Sequence, residues 1–161
     1  MQVVCASRRR DVVDRAVDSG ADDAVFLPAE CTTSQLVDAT TMSGYNRMDV
    51  SFDLVGDSGS LAVAVRSLHR GGTLFELATP QRRSSTYEEL LTLDEVVLRG
   101  ITLRPILAGT MEQLRELVDV LAVQQVTIEI PVEICRPDEL ESVVERLAQR
   151  NTNGRIVIKY D

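Results

Sequence analysis

The sequence predicts an α/β fold in which a parallel sheet carries helices on both faces. Two observations point there. Short runs rich in valine and other β-branched residues alternate with amphipathic stretches along the chain, the pattern that right-handed strand–helix–strand crossovers produce. Breaker residues, among them Gly20, Pro28, Gly71-Gly72 and Pro80, fall between those stretches rather than inside them. No internal repeat and no low-complexity linker interrupts the alternation.

Element by element, Gln2–Ser7 is the first strand, followed by a helix over Arg9–Asp18 with Val12, Val13, Ala16 and Val17 on one face and Gly20 as its C-terminal cap. Ala24–Leu27 is a second strand stopped by Pro28. Thr33–Met42 can form a helix with Thr32 or Thr33 as N-cap. Asp49–Val55 is the third strand, and Ser58 or Gly59 opens a helix running to His69. Gly71-Gly72 turns the chain into the strand Thr73–Ala78, which Pro80 closes. Beyond a polar loop with Arg82-Arg83-Ser84-Ser85, a helix is expected near Thr86–Leu93 and a strand over Val96–Arg104. Gly109-Thr110 precedes a helix over Met111–Val123, with Leu114, Leu117, Val118 and Leu121 at helical spacing. The tail reads as strand Ile128–Ile134, helix Pro137–Gln149 and strand Arg155–Tyr160. Pro137 suits the first turn, and Asp138 and Glu139 face the positive end of the helix dipole.

Composition narrows the function classes. With 161 residues, 44% of them apolar and 26% charged, the chain can bury one sizeable core and does not read as disordered. A net charge of −8 argues against nucleic acid as a partner, because phosphate contacts need clustered Lys and Arg; Arg8-Arg9-Arg10 is a local exception. No apolar run reaches the roughly 18–20 residues of a membrane span, and Met1–Ser7 lacks the features of a signal peptide, so a cytoplasmic location is expected. The cysteines, Cys5, Cys31 and Cys135, have no paired spacing, and His69 is the one histidine. They read as buried apolar thiols rather than a metal set, since a zinc site needs several converging thiolates or imidazoles.

The order of landmarks is specific enough to name a likeness. Val3-Val4-Cys5-Ala6-Ser7, a helix, and then Gly20-Ala21-Asp22-Asp23-Ala24-Val25 resemble the second strand, helix and following turn of the cofactor domain in medium-chain, zinc-type alcohol dehydrogenases. Asp49–Gly56 is similar to their fourth strand, Leu68–Leu74 to the "LRPGG" turn, and Ile101–Arg104 with Ala108-Gly109-Thr110 to the sixth strand. Asn153–Ile158 resembles the closing strand. The resemblance implies an incomplete Rossmann-type, doubly wound parallel sheet, with the first strand and its GxGxxG turn missing, plus a C-terminal strand–helix–strand segment. Residues 1–126 would be the truncated NAD(P)-binding domain, and residues 127–161 the segment that rejoins the GroES-like catalytic domain in relatives. With the central first strand absent, Gln2–Ser7 and Asp49–Val55 would face a gap between them.

The same resemblance assigns cofactor contacts. Counting back from Gly20 lands on Ser7, at the position where a carboxylate would bind the adenosine ribose of NAD. A hydroxyl followed by Arg8 and Arg9 suits a 2′-phosphate instead, so NADP is favoured and NAD stays possible. Val55 and Gly56 end the fourth strand where the backbone would approach the cofactor. Leu77, Ala78, Ile106 and Ala108 would hold the nicotinamide side through backbone groups, and Arg155 would touch the pyrophosphate. Zinc would enter only through the missing N-terminal domain. Asp53 would face the cofactor crevice, His69 would be a solvent-exposed helix end, and Glu76, in the middle of a buried strand, must find a crevice or a partner or stay neutral. The implied function is the cofactor-binding portion of an oxidoreductase that moves hydride between nicotinamide and an alcohol or carbonyl, inactive as an isolated chain. A homodimer through Val96–Arg104 is expected. The alternative is a non-catalytic truncated paralogue that serves as a dimerisation or regulatory module.

Overall fold

The computed structural model describes residues 1–28, 34–35, 38, 44, 48–78, 93–125, 127–128, 130–149 and 152–160. The chain divides into two units, Met1–Ala108 and Gly109–Asp161. Of the helix expected over Thr33–Met42, Ser34, Gln35 and Asp38 are described and are helical; most of the one expected near Thr86–Leu93 and the Arg82–Ser85 loop lie outside the described residues.

In the first unit, β1 (Val4–Ser7) leads through α1 (Arg10–Ala16) into β2 (Asp23–Phe26), and β1 and β2 pair in parallel from Val4↔Asp23 to Ser7↔Phe26. Gly20 closes the helix a turn beyond its last residue, its N–H donating to Val17 O at 3.0 Å. A second parallel sheet holds β3 (Met48–Asp53), β4 (Leu68–Glu76) and β5 (Thr102–Pro105) in that order. Among the described residues no ladder joins β1 to β3.

The helix α2 (Ser58–Ser67) anchors both sheets. Ala62, Val63, Ala64 and Val65 are consecutive and all buried, so this helix offers apolar surface on more than one side. Val63 packs with Val25 and Leu27 of the first sheet, against Val4. Ala64 and Val65 join Leu68, Leu74, Val96 and Ile101 under the second. Across the other surface of that sheet Phe52 and Phe75 stack at 5.1 Å, with the Arg104 guanidinium 5.7 Å from the Phe75 ring.

Two sequence expectations need correction. Val96–Arg104 is not one strand: α3 (Leu93–Arg99) takes its first half, and only Thr102–Pro105 is extended. Asp94 and Glu95 lie in the first turn and Arg99 in the last, Glu95 and Arg99 pair at i,i+4, and Val96 turns into the core. The segment expected to form a dimer edge is therefore strand only at β5, whose four residues are all exposed. Gly71-Gly72 is likewise no turn ahead of a strand. β4 begins at Leu68 and runs through both glycines, with a register irregularity between Met48 and Val50 opposite them. His69 thus sits in the strand rather than at a helix end, its Nε2 3.0 Å from Asp49 Oδ1.

The second unit opens with α4 (Met111–Gln124), whose N-terminus is closed by a capping box between Thr110 and Gln113. Its Leu114, Leu117 and Val118 stand about half exposed. β6 (Val132–Cys135) and β7 (Arg155–Ile158) pair in parallel, joined by a 3₁₀ turn at Pro137–Glu139 and α5 (Leu140–Ala148). The expected strand from Ile128 begins only at Val132, because Pro131 has no N–H to give a ladder. Val143 and Cys135 are its buried residues among those described, and Arg146 holds Glu133 at 2.6 Å beside them.

Candidate cofactor-binding edge

In parallel α/β sheets ligands settle outside the carboxyl ends of the strands. In the first unit those ends meet. Leu77 N donates to Asp53 O at 3.0 Å and Ile106 N to Glu76 O at 2.9 Å, which carries the β3–β4–β5 register one residue past the strands. Arg8, directly after β1, reaches the turn after β3 through Asp57, with Nη1 3.3 Å from Oδ2.

Asp53 organises the turn. It is 3% exposed, and its Oδ1 accepts from Val55 N at 2.8 Å and Gly56 N at 3.2 Å, while Oδ2 accepts from Ser60 Oγ at 2.9 Å. Both carboxylate oxygens are therefore committed to backbone and helix, and Asp53 braces the turn instead of facing an open crevice. That brace holds Gly56 buried at φ 71°, a left-handed conformation that a side chain would strain. The side chains of Val55 and Leu77 stand exposed at the strand ends, and Ala78 N donates to Glu76 Oε1 at 3.1 Å. Ala108 is exposed at the end of the unit.

At the end of β1, Ser7 Oγ accepts from Arg9 N at 3.1 Å. The Arg9 guanidinium grips Asp11 with two bonds, of 2.6 and 3.0 Å, which raises its own pKa and lowers that of Asp11. Arg10 lies 4.0 Å over the Phe26 ring. This corner thus gathers a hydroxyl and guanidinium groups, the donors that an adenosine phosphate takes, together with carboxylates that already engage two of the arginines. Donor chemistry and a backbone turn at Gly56 with no Cβ both fit a dinucleotide. Arg155 lies exposed in the second unit at the start of β7, where its N–H donates to Pro131 O at 2.8 Å. Among the described residues no group of three His, Cys, Asp or Glu could hold a metal.

The residue that sequence reading missed is Asp57. It caps α2, its Oδ1 accepting from Ser60 N at 2.8 Å while Ser60 Oγ accepts from Asp57 N, and it spends its other oxygen on Arg8. The signal was Asp57-Ser58-Gly59-Ser60, an N-cap with a polar partner three residues on.

Glu76 finds its partner in Ala78 N, yet burial, and then the Asp53 carboxylate opposite it in the register, hold its pKa above the ordinary range. A carboxyl whose folded pKa lies above its unfolded one favours the folded state at low pH, and that margin is lost as pH rises through the raised value. Glu76→Gln keeps an acceptor for Ala78 N but cannot ionise. Its stability relative to the parent is expected to grow as pH rises from about 4 to about 7, measured by urea denaturation at both ends. A gap that shrinks over that window would contradict the assignment.

No protein-family model matches the chain. In sequence it is 30% identical over 96 residues to an alcohol dehydrogenase of Geobacillus stearothermophilus, a stretch that is 60% of this chain and 26% of that protein. In structure it superposes on the alcohol dehydrogenase of the archaeon Aeropyrum pernix with a TM-score of 0.71 at 24% identity, covering 99% of this chain and 43% of that one. The fold is that of the alcohol dehydrogenases. A cinnamyl alcohol dehydrogenase of Sorghum bicolor gives a TM-score of 0.70 at 19% identity over 98% of this chain and 41% of that one. An NAD-dependent alcohol dehydrogenase gives 0.72 at 17% identity over 99% and 44%. The resemblance to medium-chain alcohol dehydrogenases read from the sequence is borne out, and the chain spans between a quarter and a half of the length of these relatives. Among the described residues no helix of this alcohol dehydrogenase-type fold is long and apolar enough to cross a membrane.

Proposed function

We propose that this chain is the cofactor-binding portion of an alcohol dehydrogenase-like oxidoreductase, with NADP as its preferred dinucleotide. The observation that supports this most directly is the meeting of the carboxyl ends of β1, β3 and β4, tied by Arg8–Asp57 and Leu77–Asp53, with a hydroxyl and arginines where an NAD-selecting carboxylate would stand. Ser7 and Arg8 would receive the adenosine ribose and its 2′-phosphate. Val55 and Gly56 would let the dinucleotide lie against bare backbone, and Leu77, Ala78, Ile106 and Ala108 would line the nicotinamide side. When bound, the nicotinamide supplies the hydride chemistry that protein side chains lack. Residues 1–126 form the cofactor domain in this reading, and the groups that polarise the substrate oxygen, a zinc among them, lie on polypeptide outside this chain.

Titration of the purified chain with NADPH and NADH, followed by ligand-observed NMR, tests the proposal. The expected result is binding weaker than submicromolar, with NADPH preferred. Arg8→Ala is expected to weaken NADPH by about threefold to tenfold, the worth of one partly exposed charge-assisted contact, and to leave NADH unchanged. A preference for NADH that survives Arg8→Ala overturns the choice of NADP, and binding of neither overturns the site.

A further inference from the structure

Arg8 is the guanidinium best placed to read a 2′-phosphate, and it is already engaged. Its partner, Asp57, lies 49 positions further along the chain and belongs to the other sheet's turn. The contact is monodentate and long, at 3.3 Å, with the two side chains 41% and 32% exposed. A pair of that kind is weak enough for an incoming anion to exchange with. Asp57 itself cannot swing away freely, because its Oδ1 caps α2 through Ser60 N and its own N–H is held by Ser60 Oγ. An anion that took Arg8 would therefore meet a carboxylate pinned beside it. Arg9 offers no easy substitute, since Asp11 holds it with two bonds, one of them 2.6 Å.

We propose that Asp57 is a built-in competitor for the 2′-phosphate at the Ser7–Arg8 corner, occupying Arg8 in the free protein and repelling the phosphate that displaces it. The inference rests on the NADP reading above and deepens it: phosphate selection at this corner is a ligand exchange, and Asp57 sets its strength. A dinucleotide without the 2′-phosphate has no need of Arg8 and is indifferent to the exchange.

Asp57→Asn separates the two duties of this residue. Asparagine caps a helix as well as aspartate does and keeps an oxygen for Ser60 N, whereas the charge that holds Arg8 is gone. The test titrates the full chain with adenosine 2′,5′-bisphosphate and with 5′-AMP, alongside a thermal melt to show that the variant folds. Asp57→Asn is expected to bind the bisphosphate about threefold to fivefold tighter, the scale of an exposed ion pair, with 5′-AMP changed less than about twofold. In an Arg8→Gln background the same substitution should give a smaller gain, because only the repulsion is then left to relieve and the coupling between the two residues is lost. An unchanged or weaker bisphosphate affinity in Asp57→Asn, or an equal gain with Arg8 absent, overturns the proposal. Should the parent and the variant both fail to bind the bisphosphate at millimolar concentration while binding 5′-AMP, the NADP reading itself falls and takes the competitor with it.

Discussion

Replacing Gly154 by alanine is expected to disrupt the β6–β7 sheet, at a cost of about 1.5–3.5 kcal/mol to the second unit. Two penalties add. Gly154 sits at φ 77°, where an L side chain strains by about 1–2 kcal/mol. A Cβ there would also lie 2.1 Å from Pro131 O and 2.8 Å from its carbonyl carbon, distances that no real contact sustains. The neighbour is backbone and cannot rotate aside. It is moreover the carbonyl that receives Arg155 N at 2.8 Å, the bond that starts the ladder, so relief of the clash removes a hydrogen bond worth about 0.5–1.5 kcal/mol. Hydrogen exchange at the amides of Val132–Cys135 and Arg155–Ile158 is the measurement, paired with urea denaturation. Retained protection with a stability loss under about 1 kcal/mol would show that the turn can reshape at little cost, against this account.

Leu74→Ala is expected to cost the first unit about 2–5 kcal/mol, a large share of the stability of an ordinary domain. Leu74 is fully buried on the middle strand of the three-stranded sheet and touches a cluster that draws on α2, α3 and β4 at once. Elements fixed on three sides collapse poorly into a void, which places the cost toward the upper part of that range. Far-UV circular dichroism in urea reads it. The contrasting substitution is Leu103→Ala on the neighbouring strand, in register with Leu74 but about half exposed, where a loss of less than about 1 kcal/mol is expected. Equal losses at the two sites would mean that the core does not lie where the burial places it.

The expected strand ends came close to the observed ones wherever a β-branched run was bounded by a breaker. β1, β2 and β3 end within two residues of their expected positions, because Pro28 and the Val55-Gly56 turn stop the chain locally. The reading failed where local signals conflict. Val96-Val97-Leu98 is apolar enough for a strand, and its helical state is decided by the i,i+4 pairing of Glu95 with Arg99 and by Arg99 donating to the carbonyls of Val65 and Leu68. Those two carbonyls are more than thirty residues away in sequence. Gly71-Gly72 likewise looked like a turn but is strand, and the bare backbone of Gly72 lets β4 run close to β3: a Cβ there would lie tightly against Leu68 and against Asp49 O at 3.2 Å.

What the sequence by itself determined was the kind of fold and the residues at its carboxyl edge. Alternation of strand and helix periods enforces parallel pairing, and the order of short motifs is a property of the chain alone. Only the tertiary structure decided the electrostatic state of that edge. Arg8 read as a phosphate ligand in isolation, yet it faces Asp57; Asp53 read as a crevice residue, yet both its oxygens are spent on the turn and on Ser60. The physical reason is range. Secondary structure follows from dihedral preference and periodicity over a few neighbours, whereas the charge an arginine presents to a ligand depends on which carboxylate the fold carries to within about 4 Å of it.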